Sequence, residues 1–331
     1  MRRWIAGLLT ALALLSLGAC GHESVPTPSL LLRYADNQPE DYPTTRAAEY
    51  FATLVEARTE GRVVIRIFPD AALGSELSVF EQMQFGGIDF ARVSVSTLAE
   101  FVPETEILQL PYLFADADHM WRVLDGEIGS ELLNAIAETG VVGLSWFDAG
   151  TRNIYTRTPV TCLADLAGLS IRVQESDFLS RMIRLWGAVP VQMPYSAVYS
   201  ALQTGRIDGA ENNWPSYEAA GHYEAAPYYL LDAHSRLPEA QIVSCVALEK
   251  IRALDPAYEE QIFACAREAA AYERELWQER ELASEARVRG QGCVVTELDE
   301  AELNRFREAV QPMYETYPPA IQELIARIRS S

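Results

Sequence analysis

The sequence predicts an α/β protein of two similar halves, braced by long helices in its C-terminal part. Three observations support this prediction. Strand and helix patterns alternate in the first part of the chain, the alternation begins again near residue 150, and helical periodicity dominates after residue 255. About 300 residues follow the apolar N-terminal segment, which is enough for two domains.

The first half alternates in the way typical of βαβ units and a mainly parallel sheet. Strands are predicted at 30–36, 62–68, 88–95 and 141–147, and helices at 42–61, 75–87 and about 116–138. Pro43 lies near the start of the first helix and Gly61 after its end, where these residues are favoured. Ser75 is expected to cap the second helix, because its hydroxyl can accept from a free N–H of the first turn.

The second half has a similar build without repeating the sequence. Strands are predicted at 153–157, 170–174, 188–193, 207–212 and 240–248, and helices at 176–187, 195–205, about 255–288 and about 299–328. The last two helices follow both halves, so we expect the chain to cross back and brace them.

The strand at 170–174 has an arginine between apolar neighbours. Ile171 and Val173 point to one side of the strand, so Arg172 and Gln174 point to the other. From this pattern alone, Arg172 either faces water on the outer side of an edge strand or faces a ligand. The first alternative is favoured at this point, because arginine is mostly exposed in proteins.

The N-terminus has the zones of a bacterial export signal. Arg2 and Arg3 precede an uncharged run over 5–17, which is too short to span a bilayer. The stretch Leu17-Gly18-Ala19-Cys20 resembles a lipobox, although an ordinary signal ending near a cysteine is the alternative. The prediction is a signal peptide over 1–19 and a lipidated tether over 20–29, with Cys20 as the lipidation site.

The charge balance excludes some partners. There are 47 acidic and 27 basic residues, for a formal net charge of −20, which argues against nucleic acid and anionic lipid surfaces. An anion could be bound only by locally placed positive charge. Lys250 is the single lysine, so that charge must come from arginine, whose planar fork suits carboxylates.

No catalytic or metal motif is found, and we expect neither enzyme activity nor a cofactor. GxSxG, GxGxxG and P-loop patterns are absent, and the four histidines lack metal-ligand spacing. Asp116, Asp118 and His119 are better interpreted as an acid-rich helix start than as a metal site. His119 and His222 are expected on helix surfaces.

Four cysteines follow the export signal, namely Cys162, Cys245, Cys265 and Cys293. An oxidising compartment permits disulfides, and four cysteines allow three pairings. Cys265 and Cys293 flank the long helix and are the preferred pair. The alternative is that all four are buried free thiols.

Several motifs resemble the extracytoplasmic solute receptors of TRAP transporters, the DctP-type family. In the second half they are "GTRNIYT", "DLAGLSIRV" and "GAVPVQMPYSAVYSALQTGRIDGAENN"; in the first half they are "ALGSELSVFEQMQFGGIDFARVSVS" and "LQLPYLFADADHMWRVLDG". The resemblance covers about 30–315. It implies a monomeric, periplasmic receptor that binds a small organic acid and delivers it to membrane permease subunits, without chemistry of its own.

The family fold implies two α/β lobes with a ligand cleft between them and a long helix that spans both lobes. The expected division is 30–150 and 238–275 for lobe I, and 151–237 and 276–331 for lobe II, with the helix at about 255–288 shared. The lipid at Cys20 would hold this receptor to a membrane.

The resemblance also assigns ligand-binding residues. Arg172 of "SIRV" falls on the arginine that clamps the ligand carboxylate, and Arg152 falls on a second arginine, with a hinge-strand salt bridge as its alternative role. The remaining second-lobe positions are Tyr195, Asn212 and Asn213, and the first-lobe positions are Asn37, Gln38, Ser75, Glu76 and Ser94. Tyr195 could instead be core packing and Glu76 a first-turn acid, and Glu211 is expected to be a structural acceptor.

The hexuronate-binding branch, for glucuronate and galacturonate, is the most similar. The stretches that carry this similarity are "YPT", "ALGSE", "RVSVS", "RVQESD", "MPYSAVY" and "AENNWPSYE". Gln38 and Ser94 depart from the histidine and asparagine common in uronate binders. Another organic acid, such as an aldonate or a C4-dicarboxylate, is the alternative; a dicarboxylate would need a second cationic clamp, and Arg92 lies two residues from the pocket end.

Two other function classes compete with a transport receptor. A ligand sensor for a membrane kinase would use the same binding chemistry, and neighbouring permease genes would distinguish it. An enzyme acting on sugar acids is suggested by Asp208 and Glu211, but no acid, base and nucleophile converge.

Overall fold

The structure is a computed structural model that describes residues 28–331. The predicted signal peptide, the lipidation site Cys20 and most of the tether lie outside the described residues. Within 28–331, no helix is long and apolar enough to cross a membrane.

One mixed sheet runs through the described part of the molecule. Its strands are β1 (Leu30–Ala35), β2 (Val63–Phe68), β3 (Phe90–Ser94), β4 (Val141–Thr156), β5 (Ser170–Val173), β6 (Val189–Gln192), β7 (Gly209–Asn212), β8 (Tyr228–Ser244) and β9 (Val294–Glu297). The order is β2-β1-β3-β8-β4-β7-β5-β6, with β9 beside β8. β1 pairs in parallel with β2 and β3, and β5 with β6 and β7. Each half therefore has its own parallel group, and the antiparallel pair β4–β8 joins them.

Helices cover these strands. They are α1 (Pro43–Arg58), α2 (Glu76–Gln84), α3 (Val95–Ala99), α4 (Ala117–Leu124), α5 (Glu127–Ala135), α6 (Asp177–Leu185), α7 (Val198–Gln203), α8 (Trp214–Ala219), α9 (His222–Ala225), α10 (Cys245–Leu254), α11 (Ala257–Gly290), α12 (Glu300–Glu315) and α13 (Pro319–Ser330). The long α11 packs on α1 and β4 and also on α8, so it contacts both halves, as the family fold implies.

β4 and β8 are the crossing strands. They have 16 and 17 residues and pair from Val141–Ser244 at one end to Thr156–Tyr228 at the other. The pairing register shifts near the middle of β4, and Gly150 and Ala233 have positive φ angles there. These irregularities lie where the chain passes from one half to the other.

Several predicted boundaries were wrong. The predicted strands at 141–147 and 153–157 are one strand, β4. The predicted strand at 240–248 ends at Ser244, whose hydroxyl accepts from Ala247 N–H and starts α10. The predicted helix at 116–138 divides near Gly126, and the one at 299–328 divides before Pro319. β9 had no sequence prediction.

The C-terminal helices contact both halves. Trp186 at the end of α6 donates from its indole to Phe306 O of α12, at 3.2 Å. His119 of α4 contacts Ile328 O of α13 through Nε2, at 2.7 Å. These contacts bear on the predicted assignment of 276–331 to lobe II alone, which stays a prediction.

The cysteine and histidine expectations need correction. All four described cysteines are free. Cys265 lies within α11 and Cys293 just after it, so the helix separates them by about 40 Å, whereas a disulfide needs Cα atoms about 4.4–6.8 Å apart. His119 and His222 are buried rather than on helix surfaces. Asp116 caps α4, as predicted.

Candidate functional site

A cleft lies between the two halves and takes its lining from both. The lining residues are Asn37, Ala71, Ser75, Glu76 and Thr97 from the first half, and Arg172, Gln174, Glu175, Pro194, Tyr195 and Ser196 from the second. The space is about 390 Å³, including its opening to solvent. Half of the predicted ligand-binding residues are in this lining; the other half, Gln38, Ser94, Arg152, Asn212 and Asn213, are not.

Arg172 lies on β5, which runs between β6 and β7 and is not an edge strand. Its side chain is buried, the residue being only 2% exposed, and Nε and one terminal nitrogen both donate to Met193 O, at 3.0 and 2.8 Å. Among residues 28–331, no carboxylate lies within ion-pair distance of it. Burial lowers its pKa, although Glu211 acts in the opposite direction. A bound anion would therefore find a desolvated cation without a direct counter-ion.

Arg152, by contrast, already has a carboxylate. Its Nε and one terminal nitrogen fork onto the Glu211 carboxylate, and its other terminal nitrogen donates to Asn212 Oδ1 at 3.0 Å. Burial would raise the pKa of Glu211, but Arg152 and His234 more than offset this, and the pKa falls to about 2. The structure thus contains the salt bridge that the sequence left as the alternative role of Arg152.

His234 was missed by the sequence analysis. Its Nδ1 lies 2.8 Å from Asp232 Oδ2, and its Nε2 lies 3.7 Å from Glu211 Oε2. Asp232 in turn accepts from Ile154 N–H at 3.0 Å. The sequence signal was the Asp-Ala-His spacing, which places Asp232 and His234 on one face of a strand.

The two asparagines differ in how many of their side-chain hydrogen-bonding groups are used within the fold. Asn213 caps α8: its Oδ1 accepts from Ser216 N–H at 2.7 Å, and its amide donates to Ala149 O at 2.8 Å. Asn212 Oδ1 accepts from Arg152 and from Asn213 N–H, while its amide nitrogen has no hydrogen bond to any described residue. Asn212 therefore has a spare donor, whereas the amide of Asn213 is used in the fold.

Tyr195 lies half-buried at the cleft and donates to Ser216 O at 2.7 Å. Its ring packs edge-on against His222, whose Nδ1 is 2.8 Å from the Tyr155 hydroxyl. Burial and the nearby Arg172 lower the pKa of His222 to about 3. His222 is thus neutral and adds no positive charge beside Arg172.

The first-half wall has its own buried arginine, Arg92 of β3. It is 1% exposed and pairs with Asp36 (2.5 Å), Glu239 (3.1 Å) and Glu76. It also donates to Asn37 Oδ1. Arg92 is therefore surrounded by three carboxyl groups and contacts two cleft-lining residues, but it does not line the cleft itself.

Glu76 is both a first-turn acid of α2 and a cleft-lining residue. Its Oε2 accepts from Ser94 Oγ at 2.6 Å and Thr97 Oγ1 at 3.1 Å, and its Oε1 accepts from Asn37 at 2.9 Å. Burial raises its pKa, but Arg92 and Ser94 outweigh that and lower it. Ser75 caps α2 as predicted, through a contact with Ser78 N–H.

Ser94 and Gln38 lie behind the lining. Ser94 supports the carboxylate of Glu76 and also caps α3. Gln38 is buried, and its Oε1 has no hydrogen-bond partner within the described chain. Glu239 lies on β8, where burial, Glu76 and Asp36 raise its pKa to about 8 in spite of Arg92.

Comparisons with known proteins are consistent with this arrangement. The model of bacterial extracellular solute-binding proteins, family 7 (DctP), matches residues 34–319. A TRAP periplasmic solute-binding protein from Xanthobacter autotrophicus, solved with bound β-D-galacturonate, is 40% identical, with a TM-score of 0.87 over 91% of this chain and 99% of that one. A Pseudomonas putida protein with bound D-glucuronate is 35% identical, with a TM-score of 0.87 over 91% and 97%. A Polaromonas protein bound to D-erythronate is 30% identical, with a TM-score of 0.85 over 90% and 98%.

Proposed function

The chain belongs to family 7 of the bacterial extracellular solute-binding proteins, and from this premise we propose that it is the TRAP-transporter receptor for a hexuronate, D-glucuronate or D-galacturonate. The observation that carries the proposal is Arg172, a buried guanidinium at the cleft without a direct carboxylate partner among residues 28–331. The similarity to the two uronate-bound proteins, at 40% and 35% identity, supports the same ligand class.

The two walls suit the two ends of such a ligand. The uronate carboxylate would pair with Arg172, supported by the spare donor of Asn212 and the remaining N–H of Arg152. The sugar hydroxyls would meet Glu76 and Asn37 on the opposite wall. Tyr195 would cover one face of the ring, as tyrosine combines an apolar body with a polar tip.

A C4-dicarboxylate fits this cleft poorly. Its second carboxylate would face the first-half wall, where Arg92 already pairs with Asp36, Glu76 and Glu239. An aldonate is a closer competitor, because it too has one carboxylate and several hydroxyls. The erythronate-bound relative at 30% identity supports that second candidate.

Calorimetric and thermal-shift measurements with single ligands test the proposal. We would compare D-glucuronate, D-galacturonate, D-erythronate and succinate at equal concentrations. A hexuronate at about 100 times its dissociation constant should add roughly 2.7 kcal/mol of stability. Stabilisation by succinate but by neither hexuronate would contradict the proposed ligand class.

Export and anchoring complete the proposed function. We expect cleavage after residue 19, diacylation of Cys20, and delivery of the ligand by a periplasmic monomer to the permease subunits. Cys20→Ser should give an unlipidated protein, because the acylated thiol is lost, and fractionation with a salt wash should find it in the soluble fraction. Retention of this variant on the membrane would disprove the lipobox interpretation.

A further inference from the structure

Four charged side chains form a sealed cluster behind the second-half wall. They are Arg152, Glu211, Asp232 and His234, and none of these side chains is more than 4% exposed. Arg152 belongs to the proposed carboxylate clamp, and Glu211 is its salt-bridge partner. Asp232 and His234 come from the crossing strand β8, next to Ala233, which has a positive φ angle.

The two carboxylates beside the His234 ring favour its protonated form. One ring nitrogen lies 2.8 Å from Asp232 and the other 3.7 Å from Glu211, and Nε2 has no hydrogen-bond partner in the described structure. Either neutral tautomer would direct a lone pair at a carboxylate. Two carboxylates and one guanidinium also need one more positive charge for neutrality, and an uncompensated buried charge is costly.

We propose that His234 is a positioning residue of the carboxylate clamp: as an imidazolium it shares Glu211 with Arg152, which leaves Arg152 with net positive charge toward the bound anion. This inference rests on the proposed function. Loss of the imidazolium charge would leave Glu211 to be balanced by Arg152 alone. The field at the bound carboxylate would then fall without any change in the residues that contact it.

The charged and titratable groups around the His234 ring come from several elements. Asp232 faces it from β8, Glu211 from β7 and Arg152 from β4, and Trp186 of α6 packs edge-on at 5.3 Å. The backbone N–H of Tyr112 donates to His234 O. Burial and the nearby Asp232 raise the pKa of the Tyr112 hydroxyl. The pKa of His234 is about 9, because Asp232 and Glu211 outweigh the lowering caused by burial.

The sign of the pH dependence follows. The folded pKa of about 9 lies above the ordinary value of 6.5, so the stabilisation by this group is complete below pH 6.5 and is lost as pH rises through 9. Affinity for an anion should fall over the same upper range. One unit charge removed roughly 10 Å from the anion, at an effective dielectric constant near 20, corresponds to about tenfold in affinity.

The experiment is calorimetry with D-galacturonate between pH 7 and 10, on the wild type, His234→Gln and the matched control His119→Gln. The wild type should bind about tenfold more weakly at pH 10 than at pH 7. His234→Gln should already bind D-galacturonate about tenfold more weakly than the wild type at pH 7, and its affinity should change little up to pH 10. His119→Gln, where the buried ring contacts backbone groups and no carboxylate of the described residues, should follow the wild-type profile.

A ligand-independent measurement separates this inference from the proposed function. NMR of the histidine ring nitrogens in the wild-type protein should find both nitrogens of His234 protonated at pH 7, with a titration near pH 9. A neutral ring at pH 7, or wild-type affinity that stays constant to pH 10, would overturn the role of His234, and the ring measurement remains decisive if His234→Gln does not fold. Absence of hexuronate binding at every pH would instead overturn the proposed function.

Discussion

The two walls of the cleft each have a buried arginine, but the two arginines have opposite surroundings. Arg92 in the first half lies among three carboxyl groups, Asp36, Glu76 and Glu239. The Arg172 guanidinium in the second half donates to the carbonyl of Met193 and has no other hydrogen-bond acceptor in the described part of the chain. The first wall therefore has excess negative charge and the second has a guanidinium without a direct counter-ion. The number of nearby carboxylates, and not the residue type, is therefore what separates Arg92 from the arginine proposed to bind the ligand.

The largest expected effect is on affinity, from Arg172→Ala. Loss of one partner of a desolvated, charge-assisted pair typically costs about 2–5 kcal/mol, which corresponds to roughly 30- to 4,000-fold weaker binding. Arg172→Lys should also bind poorly, because an ammonium cannot reproduce the planar fork. Calorimetry with the best hexuronate measures this, and melting curves of the free variants should stay near wild type. Near-normal affinity in Arg172→Ala would show that Arg172 does not bind the ligand carboxylate.

The matching change in the other wall should act on stability. Arg92→Ala would leave three buried carboxyl groups without their cation, and breaking such a buried pair costs about 3–5 kcal/mol. Urea unfolding at pH 7 gives the free energy directly. If Arg92→Ala keeps wild-type stability and loses only affinity, Arg92 is a ligand-binding residue and not a structural one.

Ligand charge provides a third test. D-galactaric acid has a second carboxylate at the position of C1 of D-galacturonate and is an open chain instead of a ring; its second carboxylate would face the acidic first wall. Since like charges brought together across an interface cost several kcal/mol, we expect about 100-fold weaker binding. Glu76→Gln should narrow this ratio to about tenfold, whereas Glu81→Gln, an exposed change on the same helix, should leave it unchanged. Equal affinity of the wild type for both acids would contradict an acidic wall.

The smallest expected effect concerns Glu239. Its folded pKa of about 8 lies above the ordinary value for glutamate, so the native state retains a proton that the unfolded state releases, and stability falls as pH rises from about 4.5 to 8. Glu239→Gln should lose less stability than wild type between pH 5 and pH 8, because the glutamine has no proton to release. Urea unfolding of both proteins at pH 5 and pH 8 measures the difference. An equal pH slope in the two proteins would show that Glu239 is ionised throughout.

Most of the fold could be predicted because each element carries its own local pattern. Ser75 and Asp116 marked helix starts correctly, and the βαβ alternation identified the parallel groups. β4 was divided in the prediction, which left 148–152 outside both strands, and its continuity is seen in the pairing with β8. Long-range pairing of this kind leaves no local signal.

The site was predictable where a motif carried it and not where charges converge from distant segments. The resemblance placed Arg172 and Tyr195 in the cleft lining, where the structure has them. Two of the carboxyl groups around Arg92 come from residues 56 and 147 positions away in sequence, so its strand position alone could not predict them. His234 meets Glu211 only because β8 and β7 both flank β4.

The crossing strands have a mechanical consequence. Two hydrogen-bonded strands that run side by side from one half to the other resist stretching and sliding, but they bend readily where their pairing is irregular. The halves are therefore joined by paired strands and not by a loose linker, which restricts the relative orientations open to them. A receptor built in this way loses little orientational entropy when it closes on its ligand, and more of the contact energy of the cleft remains available for holding the ligand.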